Sequence, residues 1–203
     1  MAEKIYLEAQ DLLEDSFRLG AQVVASGFRP TMMIAIWRGG APVGVAVQEL
    51  LAYRGIETDH ISIRTSSYHG IDGRSSQIRI HGLSYLIKQV RHEDNLLIVD
   101  DVFDTGSTID AVIREIEAKC RLNTPHDIRV AVPYYKPSRN LTARVPDYYL
   151  HETEQWLKYP HSLEGLSVEE VAEHRPALYE ILRPALTGAL ASEAPVGEGS
   201  NES

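Results

Sequence analysis

Residues 96–108 read LLIVDDVFDTGST. The apolar run Leu96 to Val99 suits a short strand buried on both faces, and it leads straight into two adjacent carboxylates, Asp100 and Asp101. A third carboxylate, Asp104, follows, and then a turn of small hydroxylated residues. Ile109, Val112, Ile113 and Ile116 continue with helical spacing, so a helix is predicted to start near Thr108. Ligands of an open parallel sheet bind at the carboxyl edge of its strands, where Asp100 and Asp101 would sit. Neighbouring carboxylates repel each other, so a pair at that edge points to a polycation, a metal or a polyol. The turn Asp104-Thr105-Gly106-Ser107-Thr108 offers backbone N–H groups, hydroxyls and a helix N-terminus, all suited to a dianion, and Gly106 lets the backbone come close. The stretch can hold a phosphate on one side and hydroxyl groups on the other, as a sugar phosphate requires.

The rest of the chain alternates between helix and strand. Leu13, Phe17, Gly20, Ala21 and Val24 form one stripe of a helix over 8–26, stopped by Gly27 and Pro30. Thr31 to Ile36 reads as a buried strand, and Val43, Val47, Leu50 and Leu51 as a second helix with Pro42 near its first turn. Ile56 to Arg64 alternates like a strand, a short helix fits 83–90, and Ile128–Tyr134 and Asp147–His151 read as further strands. Residues 65–79 are polar, carry two glycines and show no period, as a lid or binding loop would. Ser167 to Glu170 fits a capping box opening a C-terminal helix that is interrupted at Pro176. The pattern predicts an α/β fold, a mostly parallel sheet flanked by helices. One domain over 1–186 is expected, followed by a disordered tail, 187–203, rich in Gly, Ser, Ala and Glu.

Composition narrows the partners. The 203 residues carry a formal net charge of −9 and no Lys/Arg run, which argues against a nonspecific grip on nucleic acid and against anionic membranes. The single cysteine, Cys120, cannot form an internal disulfide and has no metal-ligand spacing around it. No apolar run is long enough to span a bilayer and the first ten residues lack a signal-peptide core, so a cytoplasmic protein is expected.

Leu96–Thr108 resembles the phosphoribosyl-pyrophosphate (PRPP) signature of type I phosphoribosyltransferases, in which apolar residues, two acids and two variable positions precede D-T-G-x-T. The resemblance implies the type I phosphoribosyltransferase fold with a small hood, mainly 147–165. It implies that Asp100 and Asp101 hold the ribose hydroxyls, directly or through water and Mg²⁺, and that Thr105, Gly106, Ser107 and Thr108 cradle the 5'-phosphate. Asp104 would be the general base. Trp37-Arg38-Gly39-Gly40 looks like the family's pyrophosphate loop, so Arg38, Gly39 and Gly40 would bind pyrophosphate and the Trp37–Arg38 peptide would be cis. Residues 65–79 fall at the family's mobile lid, with Ser66, Ser67 and Tyr68 resembling its Ser-Tyr step.

The base is implied by the C-terminal part. VPYYKP, residues 132–137, resembles the segment of 6-oxopurine enzymes in which a lysine, here Lys136, donates to the purine 6-oxygen. Residues 147–165 look like the hood of bacterial xanthine-guanine and hypoxanthine enzymes, with Trp156 stacking on the purine and the Leu157 backbone meeting its 2-position. The acidic residue that follows the Pro-aromatic step in the family is displaced here, and Glu164 is the candidate for its part, including any share in holding Mg²⁺. The implied reaction is hypoxanthine, guanine or xanthine plus PRPP giving nucleoside monophosphate and pyrophosphate, in purine salvage, by a homodimer or homotetramer. A phosphoribosyltransferase for another base and a non-catalytic PRPP-sensing regulator on the same fold are the alternatives.

Overall fold

The computed structural model of the protein describes residues 4–69 and 76–186, and forms two compact units, Met1–His161 and Ser162–Ser203. The first unit runs β1 (Lys4–Tyr6), α1 (Ala9–Ala25), β2 (Met32–Trp37), α2 (Gly40–Tyr53), β3 (Asp59–His69), β4 (Ser76–His81), α3 (Ser84–Gln89), β5 (Asn95–Val99), β6 (Val102–Phe103), α4 (Ser107–Cys120), β7 (Asp127–Tyr135), β8 (Tyr148–Glu152) and β9 (Trp156–Lys158). The second holds α5 (Val168–His174) and α6 (Pro176–Leu186).

The main sheet has the order β4-β3-β2-β5-β7, with β8 and β6 both paired to β7. Every pairing is parallel except β3 with β4. Tyr134 and Tyr135 have β6 on one side and β8 on the other, so β6 takes over the lane that β5 vacates after Val99. The chain therefore leaves the sheet at Asp100 and Asp101 and rejoins it at Val102.

The central strands carry unbroken apolar runs, Met32–Trp37, Leu96–Val99 and Val130–Val132, because both faces are covered. Met32, Ile34 and Ile36, with Leu96, Ile98, Val130 and Val132, pack against Val112, Ile113 and Ile116 of α4 and Leu86 of α3. The alternate residues Met33, Leu97, Val99 and Ala131 face Leu12, Leu19 and Val23 of α1 and Val43, Val47 and Leu51 of α2. Each fully buried side chain of this kind contributes about 1.5–3 kcal/mol, so the sheet's position is held from both sides. This is the expected α/β architecture, a mostly parallel sheet flanked by helices.

Residues 65–79 depart from the loop read in the sequence. Strand β3 continues to His69 and β4 begins at Ser76, with Thr65 opposite Ile80 and Ser67 opposite Ile78. Thr65 to Tyr68 is hydroxylated throughout, and the apolar alternation begins only at Ile78, too near the end of the stretch to mark a strand by itself. Residues 70–75 of the expected lid lie outside the described residues, as does the tail 187–203. Two short strands also escaped the sequence reading: β1 and β9 form a separate parallel pair, Lys4 opposite Trp156. In the second unit Ser167 and Glu170 form the expected capping box, and the helix breaks before Pro176.

Candidate functional site

Because β2 and β5 are neighbours in register, with Ala35 opposite Val99, the turns that follow them meet at the sheet's carboxyl edge. Arg38-Gly39-Gly40 follows β2, Asp100-Asp101 follows β5, and the Trp37–Arg38 peptide is cis, as the resemblance implied. The two turns touch closely. A Cβ on Gly39 would overlap the Asp101 carboxylate, and one on Gly40 would lie 2.7 Å from the Val99 carbonyl oxygen and 2.8 Å from Asp100 Cα. At Gly40 glycine is required by the space between two backbones, whereas at Gly39 a side chain would meet the Asp101 carboxylate.

Asp100 accepts the Asp101 N–H through Oδ1 at 2.9 Å, and the Tyr159 hydroxyl donates to the Asp101 carbonyl at 2.9 Å. Both carboxylates keep part of their surface in a cavity of about 160 Å³ lined by residues 100–106, Thr108 and Ile109. Burial pushes the Asp100 carboxyl well up, reinforced by the charge of Asp101, and raises Asp101 to about 6. No cation among the described residues pairs with either.

Asp104 has the opposite surroundings. Its Oδ1 lies 2.7 Å from Arg139 Nε and its Oδ2 3.7 Å from Lys136 Nζ. Lys136 is only 4% exposed, unusual for a lysine and far from a solvated surface position. The next residues, Thr105 to Thr108, turn into α4. Gly106 has φ +76° just before the helix, Asp110 N–H bonds back to its carbonyl, and Ser107 N–H donates to Thr105 Oγ1 at 3.3 Å.

Residues 136–141 run alongside this loop. Lys136 N–H donates to the Phe103 carbonyl, Arg139 pairs with Asp104, and Leu141 N–H donates to the Thr105 carbonyl. Thr142 Oγ1 stands where a Cβ on Gly106 would come within 2.6 Å. Arg139, Leu141 and Thr142 were not singled out from the sequence. Their signal was weak: a basic residue three after Lys136, in a polar turn with no periodicity.

Trp156 and Leu157 lie on β9. The segment before them is tied to the Lys136 turn, since Thr153 N–H donates to the Tyr135 carbonyl and Ser138 N–H to Glu154 Oε1. Trp156 is 52% exposed, with Lys158 Nζ 5.5 Å from its ring centroid, whereas Leu157 is buried in the core. Ile78 of the β3–β4 arm lines an open depression together with Ser107, Asp110 and residues 141–144, which brings the arm beside the 104–108 turn. Ser66 lies on β3 opposite Arg79; the side chains of Ser67 and Tyr68 lie outside the described residues. Glu164 belongs to the second unit, in a turn before α5. So Arg38, Gly39, Gly40, Asp100, Asp101, residues 104–108 and Lys136 converge in one unit.

Cys120 is buried at the end of α4. No described helix is long and apolar enough to cross a membrane, and the described residues contain no group of three or more His, Cys, Asp or Glu able to hold a metal.

Solved structures share this fold. A crystal structure of a purine phosphoribosyltransferase from Pyrococcus horikoshii is similar with 27% identity and a TM-score of 0.62, over 81% of this chain and 97% of that one. A hypothetical protein from Neisseria gonorrhoeae with bound ppGpp is 20% identical with a TM-score of 0.68, covering 87% of this chain and 98% of that one. The xanthine-guanine-hypoxanthine phosphoribosyltransferase of Helicobacter pylori is 18% identical, with a TM-score of 0.60, over 77% and 92% of the two chains. No curated protein sequence matches the chain. The phosphoribosyl transferase domain matches residues 3–168, a span that takes in both glycine turns, the three carboxylates and the Lys136 segment. With its carboxylates, phosphate turn and sheet edge arranged as described, the chain belongs to the phosphoribosyl transferase domain family.

Proposed function

We propose that the protein transfers the phosphoribosyl group of PRPP to a 6-oxopurine, hypoxanthine, guanine or xanthine, forming the nucleoside 5'-monophosphate and releasing pyrophosphate, a purine salvage reaction. One observation carries the choice of base: the buried Lys136 ammonium stands 3.7 Å from Asp104 Oδ2. A lysine only donates and a carboxylate only accepts. Side by side they complement an edge with one acceptor and one donor, the 6-oxygen and the imidazole N–H of a 6-oxopurine. Adenine offers two donors on that edge and would leave the ammonium facing an N–H group. The likeness to the P. horikoshii purine phosphoribosyltransferase supports a purine as the acceptor.

In this reading Asp104 takes the imidazole proton as N–C1' bond formation develops, and Lys136 holds the 6-oxygen. Asp100 and Asp101 bind the ribose hydroxyls, residues 105–108 bind the 5'-phosphate through N–H groups and hydroxyls, and Arg38 with the Gly39 and Gly40 backbone receives the departing pyrophosphate. Trp156 stacks on the base, the Leu157 backbone meets its 2-position, and the β3–β4 arm with Ser66, Ser67 and Tyr68 covers the reacting centre against water. Asp100 and Asp101 fit Mg²⁺ held mainly by ligand oxygens and water: their repulsion is unrelieved by any described cation, and no all-protein cage exists around them. When bound, the ion supplies charge neutralisation for the pyrophosphate. Glu164 is retained as a further candidate for the 2-position or the ion. Family resemblance supports a homodimer or homotetramer, while the cytoplasmic location and the single domain through residue 186 rest on the sequence pattern.

Pyrophosphate release from PRPP and Mg²⁺, with a panel of hypoxanthine, guanine, xanthine, adenine, uracil and orotate, tests the proposal. Turnover with at least one 6-oxopurine and none with adenine is expected. Turnover only with a pyrimidine, or tight PRPP binding with no turnover on any base, would replace it with one of the alternatives.

A further inference from the structure

Arg139 ends a single 3₁₀ turn, Pro137–Arg139, and this turn is anchored on both flanks: Lys136 N–H bonds the Phe103 carbonyl and Leu141 N–H bonds the Thr105 carbonyl. Within it, Arg139 N–H donates to the Lys136 carbonyl at 3.1 Å and Ser138 N–H donates to Glu154 Oε1 at 3.1 Å. The backbone that carries Arg139 is thus fastened to the loop that carries Asp104. The two side chains meet at 2.7 Å, Arg139 Nε against Asp104 Oδ1. That oxygen is shielded from solvent and accepts no well-aligned hydrogen bond, so the guanidinium is its main electrostatic partner. The other oxygen is left toward Lys136 at 3.7 Å, longer than a direct hydrogen bond.

We infer that Arg139 is a positioning residue that draws Asp104 away from Lys136 and so keeps the acceptor and the donor apart for the purine edge. The inference rests on the 6-oxopurine reading. An acid and a lysine this close attract each other strongly in a half-buried site. With Lys136 as the only cation, Asp104 would swing onto it and each group would satisfy the other. The base would then have to break that contact before it could bind. With Arg139 holding Oδ1, the rotation of the carboxylate is limited and Oδ2 remains available. Glu154, whose carboxyl is held low mainly by its Ser138 hydrogen bonds, also feels the charges of Lys136 and Arg139. The turn is therefore a small network of two cations between two acids, and it balances only when both cations are present.

The test compares wild type, Arg139→Gln, Arg139→Lys, Asp104→Asn and the double variant Arg139→Gln/Asp104→Asn. Steady-state kinetics on the preferred 6-oxopurine and calorimetric titration with PRPP and Mg²⁺ are the readouts. Arg139→Gln should lower kcat/KM for the base by about 10- to 100-fold, the usual cost of displacing a reacting group by about an ångström, with KM for the base rising. PRPP affinity should stay within about twofold, since the ribose and phosphate contacts do not involve this side chain. Arg139→Lys should recover much of the loss, because a cation remains near Oδ1. The double variant should be no slower than Asp104→Asn alone, because without the carboxylate there is nothing to position. An unchanged kcat/KM in Arg139→Gln, a faster turnover, a loss of PRPP affinity equal to the loss in kcat/KM, or additive effects in the double variant would each overturn the inference. If the wild-type protein itself transfers to no 6-oxopurine, the functional reading fails instead, and the two failures are distinct.

Discussion

Three carboxylates stand within five residues of one loop, yet the fold gives them opposite electrostatic surroundings. Asp100 and Asp101 sit in the gap between β5 and β6, close to each other, with the glycines after β2 pressed against them. Their carboxyls are pushed up by burial and mutual charge. Asp104, three residues on, faces Arg139 and Lys136. The pair is incomplete without a ligand that supplies positive charge or hydroxyl donors, whereas Asp104 already has its counter-ions. On the proposed function, the group that awaits a sugar and a metal is left uncompensated, and the group that accepts a proton at a set position is compensated by the protein. The division follows the general pattern in which one site separates its acids by environment.

The largest expected effect breaks the Asp104 side of this comparison. Asp104→Asn keeps the shape but cannot take a proton. Single-turnover nucleotide formation should fall by about 10²- to 10⁴-fold while calorimetric PRPP affinity survives. If PRPP affinity falls instead, Asp104 belongs with Asp100 and Asp101 as part of the ligand cradle, and the contrast disappears.

A smaller effect is expected on the other side. In Gly39→Ala the new methyl group must displace the Asp101 carboxylate. PRPP affinity in Mg²⁺ should fall by about 10- to 100-fold, matching the roughly 1.5–3 kcal/mol of one charge-assisted contact. Asp101→Asn should lose PRPP and Mg²⁺ affinity together with turnover. PRPP titrations that find Gly39→Ala equal to wild type would show that Asp101 is not where the ligand is held.

The smallest effect is on stability. Asp101 has a folded pKa raised to about 6, above its ordinary 3.8, so between those values the folded chain retains a proton that the unfolded chain has released. Stability from this group is therefore present at low pH and lost as pH rises through about 6, and Asp100 extends the loss upward. Thermal melting of the ligand-free protein should decline by a few degrees across this range relative to Asp100→Asn and Asp101→Asn, each of which removes one of the repelling charges. PRPP with Mg²⁺ should restore the lost stability at pH 8. Melting curves of wild type and both variants that run parallel from pH 4 to 8 would mean that the pair carries no such penalty.

The stretch from Leu96 to Thr108 was legible because all its parts are contiguous. Apolar residues, paired acids and D-T-G-S-T lie on one stretch, and each local preference points to strand, edge, turn and helix in turn. The two-sided burial of β2, β5 and β7 was legible for the same reason, since unbroken apolar runs need cover on both faces. The β3–β4 arm was not, because Thr65 to Tyr68 is hydroxylated throughout and becomes a strand only by pairing in space with Gln77 to Ile80. Nor were β1 and β9, each only three residues long, since a parallel pair this short depends on what brings its strands together. Arg139 was missed for a related reason: its importance lies in a distance to Asp104, thirty-five positions earlier in the chain, and no local pattern encodes it. Lys136 could be named from resemblance, but its near-complete burial could not be read from a polar turn.

By itself, then, the sequence determined which residues end the central strands and what kind of ligand their chemistry suits, because those properties follow from side-chain type and nearest neighbours. The tertiary structure alone determined which acids stand uncompensated and which stand between cations. Desolvation and Coulomb attraction depend on distances between segments far apart in the chain, and those distances exist only once the sheet has brought the ends of β2, β5 and β7 to one edge.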